Sequence, residues 1–374
     1  MDPLDDLDRL VDELEIGRPE RVRAGDGLDS WLDIMVSRQA SDLLLLAGEP
    51  PTFRIHGPVV RATAEPLDGD EIESLVLTTL PVHAQKAYRE TGVGEGSYRL
   101  SGVGRFRINL HRERGRAAAV IRALPSRVPS LPSLGLPPGI DALSQLQHGL
   151  VIIGGATGSG KSTTMSALVD AINRRDAKHI ITIEDPVEYE HINHRSVVQQ
   201  IEVGADAPDF PAALRSALRQ APDVIVVGEM RDPETMRIAL AAGETGHLVL
   251  TTLHTTDVPS TLARMTDSFS NERQPTIRQE IASALSAVWV QTLLPARHGG
   301  RVAAAELLMV GYGARQHIRR NALQHLHQEM TITRRYGSFT LEETLVRLVK
   351  AGLVTREEAV VRANHLDDFN RALE

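Results

Sequence analysis

The chain has 374 residues, of which 42% are apolar, 24% charged and 3% aromatic, with no cysteine and a formal net charge of −8. This length has room for two or three domains, and the lack of thiols excludes a disulfide framework and thiolate-bound metal. No run approaches the roughly 20 apolar residues that span a bilayer, and the acidic start is opposite to a basic secretion signal, so a cytoplasmic protein without direct membrane insertion is expected.

An acidic extension, residues 1–27, opens the chain. Asp2, Asp5, Asp6, Asp8, Asp12, Glu13, Glu15 and Glu20 face only Arg9 and Arg18 within its first 20 residues. It reads as a solvated extension or a short amphipathic helix. The rest of the chain is nearly neutral, so no global attraction to nucleic acid is expected.

Residues 28–123 read as a small α+β domain. WLDIMVSRQASDLLLLAGEPPTFRIHGPVVR suggests a helix, a strand, a proline turn and a second strand. YRLSGVGRFRINLHRERGRAAAVIRAL alternates apolar and polar residues with the period of half-buried strands. Pro125, Pro129, Pro132, Pro137 and Pro138 then crowd residues 124–140, too densely for a helix or interior strand. A semi-rigid linker is expected there.

From residue 141 to 312 the pattern changes. LVIIGG, HIITIE, DVIVVGE and HLVLTTL are continuous apolar or β-branched runs, as strands covered on both faces require. Helical stretches such as STTMSALVDAINRR and PETMRIALAAGE separate them, which describes an α/β, RecA-like core. Residues 313–374 read as helices, with Thr340/Glu343 and Thr355/Glu358 as capping boxes and Gly352 ending the first of those helices.

Within the core, Gly155, Ala156, Thr157, Gly158, Ser159, Gly160, Lys161 and Ser162, followed by Thr163, match the GxxxxGK[ST] phosphate loop between a strand and a helix. The glycines free backbone N–H groups to wrap phosphate oxygens, and the following helix adds its positive end. Lys161 is expected to reach the β and γ phosphates of ATP, and the Ser162 hydroxyl to ligate Mg²⁺. Two acidic strand ends supply the remaining chemistry. Glu184, Asp185 and Glu188 follow HIITIE, and Glu229 follows DVIVVG in the position of a magnesium-coordinating carboxylate.

GETGHLVLTTLHTTD carries two histidines, His247 and His254. They are seven residues apart on one strand, about 23 Å at 3.3 Å per residue, so one metal cannot take both. His254 lies at the carboxyl end and is read as a γ-phosphate or water contact. Strand direction alone makes His247 structural.

In this order the motifs resemble the secretion ATPases, most closely the type IV pilus retraction (twitching-motility) branch. They are GATGSGKSTT, ITIEDPVEYEH, DVIVVGEMRD and GETGHLVLTTLHTTD, and the resemblance runs from about Ser41 to Ala359. It implies a homohexamer with a PAS-like N-terminal domain, a RecA-like P-loop ATPase core and ATP held where subunits meet. Glu188 would be the general base, Glu229 the Walker B carboxylate on Mg²⁺, and both histidines functional. Arg107 and Arg122 of the N-terminal domain would complete the site, although a solvated strand arginine is a competing reading of each. Arg215 and Arg219, i and i+4 on one helix, reach either phosphate or nearby acids. The resemblance also implies an inner-membrane pilus platform protein as the partner, bringing the motor to the membrane periphery.

The missing four-cysteine insertion, GEMRD and QTLLPARHGGRVAAAELLM favour retraction over an assembly-type pilus or type II secretion ATPase of the same superfamily. Few aromatics and a near-neutral body weigh against a RecA-like nucleic-acid motor. Leu44 and Ala156 depart from the residues usual in the family at those positions.

Overall fold

In this computed structural model, which describes residues 27–62 and 65–374, the chain divides into two units between Ser126 and Arg127. The acidic extension, apart from Gly27, lies outside the described residues.

The first unit is built on a six-stranded antiparallel sheet in the order β3-β2-β1-β6-β5-β4. Its strands are β1 (Ala40–Leu45), β2 (Thr52–Ile55), β3 (Val59–Arg61), β4 (Val93–Leu100), β5 (Gly104–Glu113) and β6 (Arg116–Leu124). The expected second strand is broken in two, because His56 and Gly57 take positive φ values of 50° and 113° and turn the chain. Alternation along β5 sends Phe106, Ile108 and Leu110 into the core. There they meet Trp31, Leu32 and Met35 of α1 (Gly27–Ser37), Ile72 and Val76 of α2 (Gly69–Leu77) and Tyr88 of α3 (Val82–Thr91). The pleat leaves the alternate positions on the opposite face.

The second unit takes up most of the proline-rich segment. Leu131–Leu134 is a 3₁₀ turn, α4 (Ile140–Ser144) follows, and Leu131, Ile140 and Leu143 are buried in one apolar cluster with Val151 and Met165. The leucines between the prolines bury apolar surface, so this stretch packs against the second unit.

A seven-stranded sheet in the order β13-β12-β7-β11-β10-β8-β9 forms the centre of this unit. The strands are β7 (Gly149–Gly154), β8 (His179–Glu184), β9 (Val197–Glu202), β10 (Val224–Val227), β11 (Leu248–Leu253), β12 (Leu285–Pro295) and β13 (Arg301–Met309). All neighbours are parallel except β12 and β13. Every residue of β7, β10 and β11 is buried. Parity along β7 divides them between two cores. Leu150 and Ile152 pack with Ile181, Ile225 and Val249, whereas Val151 and Ile153 pack with Leu168 and Ile172 of α5 (Lys161–Arg175). This is the RecA-like α/β core expected.

The other helices of the unit are α6 (Phe210–Ala217), α7 (Pro233–Glu244), α8 (Val258–Asp267), α9 (Gln274–Ala284), α10 (Tyr312–Arg319), α11 (Leu326–Ile332), α12 (Leu341–Lys350), α13 (Arg356–Arg362) and α14 (Leu366–Leu373). Leu345 and Phe369 of the terminal helices pack on Leu294 and Ala304 of β12 and β13. Both bonds of the Thr340/Glu343 box are present, but Thr355 only accepts from the Glu358 N–H, so the second expected box is a one-sided cap. Gly352 ends α12 in the left-handed region, with φ 70°. Among the described residues no helix is long and apolar enough to cross a membrane.

Candidate active site

Parallel strands bring their carboxyl ends to one edge of the sheet, the edge where ligands bind in open α/β folds. The register pairs Gly154 of β7 with Leu253 of β11, Thr251 with Val227 of β10, and Val227 with Ile183 of β8. The phosphate loop, His254, Glu229 and Glu184 therefore emerge at the same level. No two of these lie close together in sequence.

Between β7 and α5 the loop is shaped by glycine. Gly155, Gly158 and Gly160 have φ of 152°, 77° and 88°. A Cβ at Gly155 would lie 2.3 Å from Ser159 Oγ and 2.6 Å from the Gln291 carbonyl. The loop is also held from below. Gln291 of β12 donates through Nε2 to Ser159 O at 2.7 Å, and its Oε1 accepts from Thr164 Oγ1 at 2.9 Å and Trp289 Nε1 at 2.8 Å. Sequence reading assigned Gln291 no role. Its signal was a single amide within the apolar run SAVWVQTLL, where a buried amide must find partners.

Lys161 is buried and donates from Nζ to the carbonyls of Gly155 at 2.8 Å and Ala156 at 2.9 Å. Burial lowers its pKa, against the opposing charges of Glu229 and Glu188. Both carboxylates thus act electrostatically on the lysine. Ser159 Oγ is buried with no partner. A buried cation resting on neutral carbonyls and an orphaned hydroxyl suit a polyanion such as the ATP phosphates. Ser162 and Thr163 are half-buried at the first turn of α5, with Thr163 Oγ1 3.0 Å from the Tyr189 hydroxyl.

His254 stands between these groups. Its Nδ1 is 3.5 Å from Lys161 Nζ and 3.4 Å from Thr157 Oγ1, and its Nε2 is 3.8 Å from Glu229 Oε2. Burial and then the Lys161 charge lower its pKa, which keeps the ring neutral near pH 7 with one nitrogen donating and the other accepting. Glu229 Oε1 is held by Arg231 at 2.5 Å, and Thr252 Oγ1 donates to Gly228 O at 2.6 Å, joining the two strand ends.

The acids after β8 differ from one another. Glu184 accepts from Thr182 Oγ1 at 2.7 Å, from Gln200 Nε2 at 3.3 Å and from the Glu188 N–H, and burial raises its pKa. It is engaged in holding its own loop. Asp185 is exposed, and Glu188 is half-buried within electrostatic reach of Lys161.

Of the other expected residues, His247 is at the opposite edge of the same sheet, and Arg107 and Arg122 belong to the first unit. His247 is at the amino end of β11, where its Nδ1 is 3.2 Å from Ala242 O and its own carbonyl accepts from Gly149 N–H at 2.9 Å. It is at the opposite end of β7 from the phosphate loop of its own chain. Arg107 and Arg122 are cross-strand partners in the first unit, within the row Arg54–Asp42–Arg122–Arg107–Ser97. Arg122 Nε donates to the buried Asp42 at 2.8 Å, and Arg107 pairs with Glu95 at 3.3 Å. Arg215 pairs with Glu234 at the start of α7, the acid-pairing alternative for that helix.

Comparison with known proteins shows the family of the chain. The family model described as Type II/IV secretion system protein matches residues 106–366. The type IV pilus retraction ATPase PilT of Pseudomonas aeruginosa is 40% identical over 330 residues, which cover 88% of this chain and 96% of that protein. A twitching motility protein of Neisseria gonorrhoeae is 38% identical over 321 residues, 86% of each chain. The crystal structure of the pilus retraction motor PilT with bound ADP superposes with a TM-score of 0.85 at 39% identity, covering 92% of this chain and 99% of that one.

Proposed function

The chain belongs to the Type II/IV secretion system protein family, and from that premise we propose that it is the ATP-driven motor of type IV pilus retraction, working as a homohexamer on MgATP. It is an ATP-hydrolysing enzyme of that family. The observation that carries the proposal is the cluster of Lys161, His254, Glu229 and Glu188 at one sheet edge, in a chain matching retraction ATPases along almost their whole length.

In this reading the loop N–H groups and Lys161 grip the phosphates, with Lys161 exchanging its carbonyl partners for phosphate oxygens. Ser162 and Glu229 hold the magnesium of the substrate, which neutralises phosphate charge. A carboxylate of Glu188 takes the proton of the attacking water. His254, neutral and bridging Lys161 and Glu229, reports the presence of the terminal phosphate. Arg107 and Arg122, released from Glu95 and Asp42, add positive charge at a site shared between subunits. Loss of that phosphate frees the clamp and lets the two units move, as in other phosphate-gated switches. The work goes to an inner-membrane pilus platform protein, which places the motor at the cytoplasmic side of the membrane.

ATPase activity measured together with particle mass tests this. Magnesium-dependent turnover by a particle of six chains is expected, and turnover by a monomer overturns the shared site. Deletion of the gene should leave cells with extended, non-retracting pili; loss of pili would favour an assembly-type motor of the same superfamily.

A further inference from the structure

In the C-terminal helices, sharing no residue with the phosphate site, His327, His365 and Asp368 bring three potential ligand atoms within 4.8 Å of one another. His327 Nε2 is 3.0 Å from Asp368 Oδ2. The His365 ring lies over that of His327, with centroids 3.7 Å apart and planes tilted by 33°.

The spacing fits coordination. Two ligands each about 2.0–2.2 Å from one ion stand roughly 3.0–3.5 Å apart at right or tetrahedral angles. His327 and Asp368 already have that separation. Two of the ligands are anchored by packing: His327 sits on α11 beside the buried Leu326, and Asp368 precedes the buried Phe369 on α14. The segment carrying the third is fixed by Glu342, whose Oε1 accepts from the N–H groups of Asn364 at 3.0 Å and His365 at 2.8 Å. The His365 side chain itself is exposed.

We propose that His327, His365 and Asp368 form a site for a divalent transition-metal ion of the zinc class, which pins the last helix, α14, to α11. Two imidazoles and one carboxylate suit zinc and its neighbours, and offer too few oxygens for calcium or magnesium. The ion takes the place of the hydrogen bond between His327 and Asp368, whose proton passes to solvent, and a fourth position stays open to water. The hydrogen bond from His327 holds the Asp368 carboxyl below its usual pKa, so that ligand is ionised at neutral pH.

The test is calorimetric titration of zinc chloride into the tag-free, chelator-stripped full chain without nucleotide. One ion per chain, a dissociation constant in the micromolar range or tighter, and a thermal midpoint that rises with zinc are expected. H365Q and D368N should each weaken binding at least tenfold, while melting like the wild type in chelator. Acidifying the buffer should weaken binding too, because protons compete with the metal for the ligand atoms. Absence of zinc binding, or affinity unchanged in both variants, overturns the proposal.

Discussion

Gln291 Nε2 donates to the carbonyl of Ser159 across 2.7 Å, tying the middle of the phosphate loop to a strand more than a hundred residues later in the chain. The same amide oxygen accepts from Thr164 and Trp289. Gln291→Leu removes the amide and leaves three buried polar groups without this partner. Such changes cost about 1–3 kcal/mol for a buried group left unsatisfied. Denaturant unfolding should show a loss in that range, and nucleotide affinity should fall with it. A variant as stable as the wild type, with unchanged affinity, would remove Gln291 from the loop's support.

Lys161→Ala takes away the buried cation at the centre of the site. The rate should drop by about 10²–10³, the usual cost of one preorganised charge-stabilising donor, with nucleotide affinity reduced as well. Steady-state turnover at the wild-type rate would overturn the phosphate-loop assignment.

Glu188→Gln should keep ATP binding and slow hydrolysis by about 10²–10⁴, the contribution of a general base. Glu229→Gln should instead raise the magnesium concentration needed for half-maximal turnover. Measuring the rate against magnesium for both separates the roles. Reversed phenotypes would make Glu229 the base.

Glu306 sits in β13, accepts from the Val258 N–H at 2.6 Å, and is pushed up to about 8, first by burial and then by Asp257 and Glu342. The ordinary value for a glutamate is 4.5, so between that pH and about 8 the folded state keeps a proton that the unfolded chain has released. Stability from this group is present below that window and is lost as pH rises through it. Glu306→Gln retains an acceptor and cannot ionise. The stability of the variant relative to wild type should therefore improve from pH 5 to 8.5 by more than the ~1.4 kcal/mol that one pKa unit represents. Parallel melting profiles would refute the shift.

Arg107 and Arg122 are paired with acids of their own unit. If they serve a neighbour's site, Arg107→Ala or Arg122→Ala subunits mixed with Lys161→Ala subunits should give a ring activity that differs from simple dilution. A finger arginine accounts for about 10³–10⁵ in rate in related chemistry, so each single variant should be strongly impaired. Activity that falls in simple proportion to the added Lys161→Ala fraction would return both residues to ion pairs within their own unit.

The phosphate loop was legible because its chemistry is local. Consecutive N–H groups, glycine torsions and one lysine lie within nine residues, and they must be adjacent to curl around a phosphate. The buried strands were legible for a similar reason, since a strand covered on both faces has to be apolar throughout. The break in the second expected strand was harder to see. It depends on two positive φ values at His56 and Gly57 rather than on any change in apolar pattern. The packing of the proline-rich stretch was hidden likewise, because prolines rule out regular structure without saying whether leucines among them find a core.

By itself the sequence determined which residues are chemically able to act: one lysine in a glycine loop, acids after two strands, and a histidine after a third. Only the tertiary structure decided which of them come together, because that depends on sheet order and on through-space partners. It placed Glu184 among hydrogen bonds that hold its loop, left Glu188 facing the charge of Lys161, and set His247 at the far end of the strand that carries His254 to the site. Parallel pairing accounts for this, since it aligns strand ends distant in sequence while keeping the two ends of any one strand apart.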